Sequence, residues 1–284
     1  VGHYLDKLLA LARILDRGGR SVQQCLADNA RDDEPPLRVR HLAALAEAFP
    51  DDALTLGACR RALEDADPAT RLVGARALGR EGAPTLVAMA SDESLEASRR
   101  VEALAAWEVL PPTPDEARAL LDALLAGTHS DVRLAAIRAA GHLRCAAVLP
   151  ALLRLAGRAR NEHVRELAVA FEEMGDEAAE SVLVDLLVAG GEAVPPEVLR
   201  ALGSLGSAAS VEPLLPLATE LIVPRAVKRA AREALRAIRS RLGTADVGRL
   251  SLVDLDDDAG ALSLPDGASG DVSLAPEGAR EDAS

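Results

Sequence analysis

Aromatic side chains are almost absent from this sequence. Its 284 residues include only Tyr4, Phe49, Trp107 and Phe171. A chain that is 49% hydrophobic yet 1% aromatic must build its core from Ala, Leu and Val. That composition disfavours β-sandwiches and barrels, which draw on aromatic and β-branched residues, and suits closely packed helices. Lysine is nearly missing as well. Lys7 and Lys228 are the only two, so arginine carries the positive charge, a bias typical of high-GC bacterial coding sequences. The cysteines Cys25, Cys59 and Cys145 are three, scattered and without metal spacing. They read as small core residues of a reduced, cytoplasmic protein. No run of about 18 apolar residues is present, so no membrane insertion is expected. The opening stretch is broken by Asp6, Lys7 and Arg13 and lacks a small-residue cleavage site, unlike a signal peptide.

The signatures of catalysis are missing too. There is no phosphate-binding glycine loop, since Gly190-Gly191 lacks the following Lys and Ser/Thr. No Gly-x-Ser-x-Gly nucleophile elbow occurs. His142 lies three residues from Cys145, and His129 two from Asp131, but a zinc site needs four ligands at recognisable spacing. The expectation is therefore no metal, no cofactor and no enzymatic activity.

What the chain does have is rhythm. "DPATRLVGARALG" (67–79), "HSDVRLAAIRAAGHL" (129–143), "NEHVRELAVAFEEMG" (161–175) and "VPRAVKRAAREALRAI" (223–238) repeat one theme. Weaker copies begin near Pro36, Ala97 and Val194. Anchor positions fall at Arg40, Arg71, Arg100, Arg133, Arg165, Pro195 and Lys228, between 29 and 33 residues apart. A second apolar segment follows in most units, as in "VLPALLRLAG" and "ESVLVDLLVAG". Such a period marks a stack of helix pairs, because one pair alone cannot cover its apolar face. Leu72, Leu78, Leu134, Ile137, Leu167 and Leu235 are the predicted core. Asp67 and Asp131 stand where N-caps belong. The anchors Arg71, Arg133, Arg165 and Lys228 are predicted to be structural, paired with an Asp of the same or the next unit.

Val132-Arg133, Val164-Arg165, Arg71 and Leu78-Gly79 make the chain resemble the HEAT-repeat family, in its short bacterial form, over residues 31–242. Arg40 and Arg100 lack the closing Leu-Gly, and Pro195 replaces the basic residue. The resemblance implies an all-α, right-handed α-solenoid of about seven helix pairs. Residues 1–30 are expected to form N-terminal capping helices. HEAT-like relatives include phycobilin lyases, DNA glycosylases and deoxyhypusine hydroxylases. The last use His-Glu motifs, which this chain lacks. The resemblance thus implies a protein-interaction scaffold first, with a lyase-like or glycosylase-like enzyme as the alternative.

Net charge is −13, of which −8 lies beyond Gly243. The nearly balanced body and the scarcity of aromatics disfavour nucleic-acid binding. One basic cluster remains. Arg225, Arg229, Arg232, Arg236 and Arg239 recur at helical spacing opposite Val227, Ala231, Leu235, Ile238 and Leu242. That stripe is a candidate dock for an anionic partner, for nucleic acid, or for the chain's own acidic end; it also fits a terminal helix with an uncovered outer face.

Beyond Gly243 the helical rhythm stops. Residues 243–284 are rich in Asp, Gly and Ser, so a disordered acidic tail is expected. Within it a phrase recurs three times: Leu250-Ser251-Leu252, Leu262-Ser263-Leu264 and Val272-Ser273-Leu274, each shortly after a glycine. Apolar residues alternate with Ser as in a short strand. The phrases are candidate motifs for protein partners by β-augmentation, individually weak and jointly stronger.

Overall fold

The computed structural model describes residues 22–157, 163–220 and 222–242. The three tail phrases and most of the predicted N-terminal cap lie outside them. By internal contacts the chain divides into two units, Val1–Gly243 and Thr244–Ser284, and every described residue belongs to the first.

The described residues form fourteen α-helices: α1 (Val22–Asn29), α2 (Pro35–Ala48), α3 (Ala53–Ala62), α4 (Pro68–Ala77), α5 (Ala83–Ser91), α6 (Ala97–Glu108), α7 (Pro114–Ala126), α8 (Ser130–His142), α9 (Leu149–Ala156), α10 (Val164–Met174), α11 (Glu180–Gly190), α12 (Pro196–Leu205), α13 (Val211–Thr219) and α14 (Arg225–Leu242). They pack as sequential pairs. The even-numbered "A" helices from α2 to α14 stack on one another, and each odd-numbered "B" helix packs beside its A neighbours. The all-α solenoid read from the sequence is the fold observed. Six complete pairs, α2–α3 to α12–α13, lie between α1 and the terminal α14.

Proline and capping residues mark the helix starts. Proline occupies the first turn of α2, α4, α5, α7, α9 and α12, where its missing N–H costs no hydrogen bond. Asp67 caps α4 by accepting from Thr70 N–H at 2.9 Å. Thr113 and Glu116 cap α7 reciprocally. Asp131 is not a cap: α8 starts at Ser130, its N-cap position is His129, and Asp131 stands in the first turn.

Each B helix from α5 to α13 drives one leucine into the stack: Leu86, Leu121, Leu152, Leu183 and Leu214, all fully buried. Each contributes about 1.5–3 kcal/mol. Of the predicted core, Leu72, Ile137, Leu167 and Leu235 are buried, but Leu78 and Leu134 are only half-buried. The A helices approach so closely that some positions must be small. A Cβ on Gly141 would lie 2.8 Å from Ala170 Cα in α10, and one on Gly203 3.0 Å from Ala234 Cα in α14.

The anchor residues work differently from the expectation. Arg38, Arg71, Arg100, Arg133 and Lys228 are each the fourth residue of an A helix, and each reaches back to main-chain carbonyls that follow or end the preceding B helix. Arg38 donates to Asp32 O and Asp33 O, Arg71 to Asp65 O and Ala66 O. Arg100 is 3% exposed and donates to Ala90 O at 3.0 Å. Arg133 donates to Gly127 O, and Lys228 to Thr219 O and Glu220 O. The last carbonyls of a helix have no partner within it, and a cation there also meets the negative end of the helix dipole. Only Arg38 adds an aspartate, Asp65, at 2.8 Å. Arg40, taken as the first anchor from the sequence, is exposed; Arg38 fills that place. Arg165 is exposed and faces Glu197 of α12, at 3.3 Å.

A second link between repeats is Glu180, the first residue of α11. It accepts from Ser207 N–H (2.6 Å), Ser207 Oγ (3.0 Å) and Ser210 Oγ (2.6 Å) in the turn before α13. Burial pushes its carboxyl upward, but these hydrogen bonds, aided by Arg241, hold it below the ordinary glutamate value.

Two outcomes are expected. Replacing Arg133 with Ala should destabilise the fold by about 1–3 kcal/mol, the cost of a lost charge-assisted bond and an unpaired carbonyl, whereas Arg40→Ala should change stability by less than about 0.5 kcal/mol; chemical denaturation measures both. For Glu180 the folded pKa is depressed, so its stabilisation is complete above the unfolded glutamate pKa of about 4.3 and is lost as pH falls through the lower folded value. The gap in Tm between wild type and Glu180→Gln should therefore be widest near neutrality and close on acidification, followed by circular dichroism.

Candidate interaction surfaces

The two rows of helices present different faces. Ion pairs join successive A helices: Arg138 of α8 with Glu166 of α10 at 3.3 Å, Arg165 of α10 with Glu197 of α12 at 3.3 Å, and Arg200 of α12 with Glu172 of α10 at 2.7 Å. Ser204 donates to the other oxygen of Glu172 at 3.1 Å, and Glu172 holds the Arg200 guanidinium above its ordinary value. His142 stands between Glu108 of α6 and Glu173 of α10, at 3.7 and 3.8 Å, so a protonated imidazole would bridge three repeats. This row is charged, and in the middle repeats its charges answer one another.

The B face is nearly the opposite. Two positions after each buried leucine, a helix turns its side chain away from the stack. Those positions hold Ala88, Ala123, Arg154, Asp185 and Pro216, all exposed. One residue after the leucine come Val87, Asp122, Leu153, Val184 and Leu215, all half-buried. Val188, 71% exposed, projects from α11. Small and apolar residues stand beside Arg154 and Asp185 here, and Arg118 and Glu212 of the same row are also exposed. Between α7 and α9 a groove of about 290 Å³ is lined by Asp122, Leu125, Ala126, Ala151, Arg154 and Leu155. Asp122 has a partner, Arg118, at 3.6 Å.

The predicted basic stripe on α14 is divided between the fold and the surface. Val227, Ala231, Leu235 and Ile238 are buried as expected, joined by Ala234, while Leu242 is half-buried. Arg232 donates to Ala218 O at 3.1 Å, and Lys228 holds the neighbouring carbonyls. Arg241, which the sequence pattern did not single out, clamps Gly203 O and Gly206 O at the end of α12. Arg229 pairs with Glu233 at 3.7 Å on the exposed side. Arg225 and Arg236 are exposed and Arg239 is half-buried. The five arginines therefore do not form one uniform dock: Arg232 is turned inward, and the outer side retains Arg225, Arg229 and Arg236. The motif residues Leu250, Ser251, Leu252, Leu262, Ser263, Leu264, Val272, Ser273 and Leu274 lie outside the described residues.

Among the described residues no group of three His, Cys, Asp or Glu side chains is placed to hold a metal ion, and no helix is long and apolar enough to cross a membrane. His142 and Cys145 do not converge on a common point of chemistry: the first is half-exposed beside two glutamates, the second is buried.

Comparison with known proteins agrees with the repeat architecture. Residues 117–188, spanning most of α7 to most of α11, match the family of HEAT repeats. Residues 117–188 thus carry HEAT repeats, and the helices on either side continue the same pairing. Two crystal structures of engineered proteins from the Northeast Structural Genomics Consortium are similar to it. One shares 22% identity over 78% of this chain and 98% of its own, with a TM-score of 0.37. The other shares 21% over 77% and 98%, with a TM-score of 0.38. No curated protein matches the sequence.

The terminal clamp gives a sharp expectation. Arg241→Gln should lower Tm measurably by freeing two carbonyls at the end of α12, while Arg225→Gln, whose side chain is exposed, should leave it unchanged; differential scanning calorimetry compares them.

Proposed function

We propose that this protein is a non-catalytic adaptor that holds protein partners on the B face of its solenoid and through the three Leu/Val-Ser-Leu phrases of its acidic tail. HEAT repeats are generally a protein-interaction fold, and one observation carries the reading to this face. From α5 to α13 three of the five outward positions of the B helices are small or apolar (Ala88, Ala123 and Pro216), flanked by half-buried Val87, Leu153, Val184 and Leu215, whereas charges of the middle A helices pair across repeats. A face of small and half-buried apolar residues suits a partner that brings bulky apolar anchors, since interface cores are enriched in aromatic residues. The groove between α7 and α9 is a natural seat for one such anchor.

The tail adds a different mode. Each phrase supplies two apolar side chains on one face of an extended segment, the pattern that a sheet edge reads. Three linked copies raise the effective concentration of the second and third contacts. The unpaired cysteines Cys25, Cys59 and Cys145 support a reducing, cytoplasmic setting.

The test is affinity capture with the full chain, with a chain ending at Gly243, and with Ala123→Glu plus Val188→Glu. Both substitutions are exposed and should leave the fold intact. Loss of one set of partners on truncation and of another on charging the B face is the expected outcome. Identical capture by all three chains would refute the proposal.

A further inference from the structure

Along the A row, a charge on one helix is answered from the next: Arg138 of α8 by Glu166 of α10, and Arg165 of α10 by Glu197 of α12. Eight residues past the anchor position, Glu108 of α6 and Glu173 of α10 flank His142 of α8. The same place in α14 is Arg236, and among the described residues no A helix follows α14. Which way its arginines point follows from helix geometry. Ala234 lies against Gly203 of α12, so it marks the side of α14 that faces the stack. At 3.6 residues per turn Arg225 points about 180° away from Ala234, and Arg229 and Arg236 lie within about 40° of Arg225. All three are exposed, on the side that a further repeat would cover. Glu233 is the one acid of this helix; it reaches Arg229 at 3.7 Å with both side chains open to solvent, so an incoming carboxylate can share that guanidinium.

We propose that this face of α14 binds an acidic segment of a protein partner, which takes the place of the next repeat and supplies the carboxylates that successive A helices supply to one another. Arg225, Arg229 and Arg236 span about 16 Å of helix, at intervals of about 6 and 10 Å. An extended chain sets alternate side chains about 6.5–7 Å apart on one face, so a run of acids keeps a carboxylate near each guanidinium. Arginine is suited to such partners, because its planar fork takes a carboxylate through two hydrogen bonds. An apolar occupant has nothing to hold: besides these arginines, the exposed positions from Arg225 to Ser240 are Ala226, Glu233 and Ser240. Nucleic acid fits less well, since α14 carries no aromatic residue on which a base could stack. Contacts this open to water are individually weak and screened by salt, so several acids must engage together. The B face lies on other helices, and either surface can fail without the other.

The test is fluorescence anisotropy of a labelled oligoglutamate peptide titrated with the full chain at low and physiological salt. Saturable binding that weakens with salt is expected. R229E/R236E should raise the Kd by at least about tenfold, whereas Arg40→Glu, which reverses an exposed arginine of α2, should leave it unchanged. The double variant should also gain affinity for an oligolysine peptide, a gain that unfolding cannot produce, and circular dichroism should show its helices intact. No saturable binding by any form of the chain at low salt, or equal weakening by Arg40→Glu, would overturn the proposal. Tighter binding of a single-stranded DNA oligonucleotide through the same arginines would overturn it in favour of nucleic acid. Binding seen only with a chain ending at Gly243 would overturn it by assigning the face to the chain's own acidic end.

Discussion

Every helix in this stack must be covered by helices of the next repeat, because no pair can bury its own apolar face. That constraint explains the main features of the chain. It demands a leucine at the same depth in each B helix from α5 to α13, and Leu86, Leu121, Leu152, Leu183 and Leu214 supply it. It also requires A helices that approach closely, which explains why Gly141 and Gly203 have no room for a side chain. With aromatics almost absent, small-residue contact and leucine interdigitation replace ring packing; Trp107 and Phe171 are the two fully buried exceptions.

Close stacking creates an electrostatic problem at every joint. Each B helix ends with carbonyls aimed at the start of the following A helix, and unpaired they would cost stability. The basic residue at the fourth position of the A helix answers them in five units, and Arg241 does the same for the end of α12. A side chain from one helix thereby completes the hydrogen bonding of another. These repeat joints are tied by polar geometry as well as by apolar area. The same logic appears at Glu180, whose carboxylate collects three donors from the next unit.

The two faces follow from the division of labour between the rows. Charges on the A helices lie within reach of charges one repeat away, so they neutralise one another. B-helix charges are rarer, and Arg154 and Asp185 stand on adjacent helices without meeting. A surface with few charges and small side chains costs little to desolvate.

Helix content and the period near 31 residues were legible in the sequence, because proline placement and leucine spacing depend only on local helix geometry. So was the apolar face of α14, from Val227 to Ile238. The partners of the anchor arginines were not. A basic residue near an aspartate suggests an ion pair in one dimension, but in three dimensions the nearest acceptors of Arg71 and Arg133 are main-chain carbonyls, which carry no sequence signal. Arg38 rather than Arg40 holds the first joint because helix phase, set by where α2 begins at Pro35, turns one inward and leaves the other in water. The sequence alone thus determined what kind of stack this chain builds. Which charges the stack consumes and which it leaves on its surface was decided only by tertiary packing, since that depends on distances between helices some thirty residues apart.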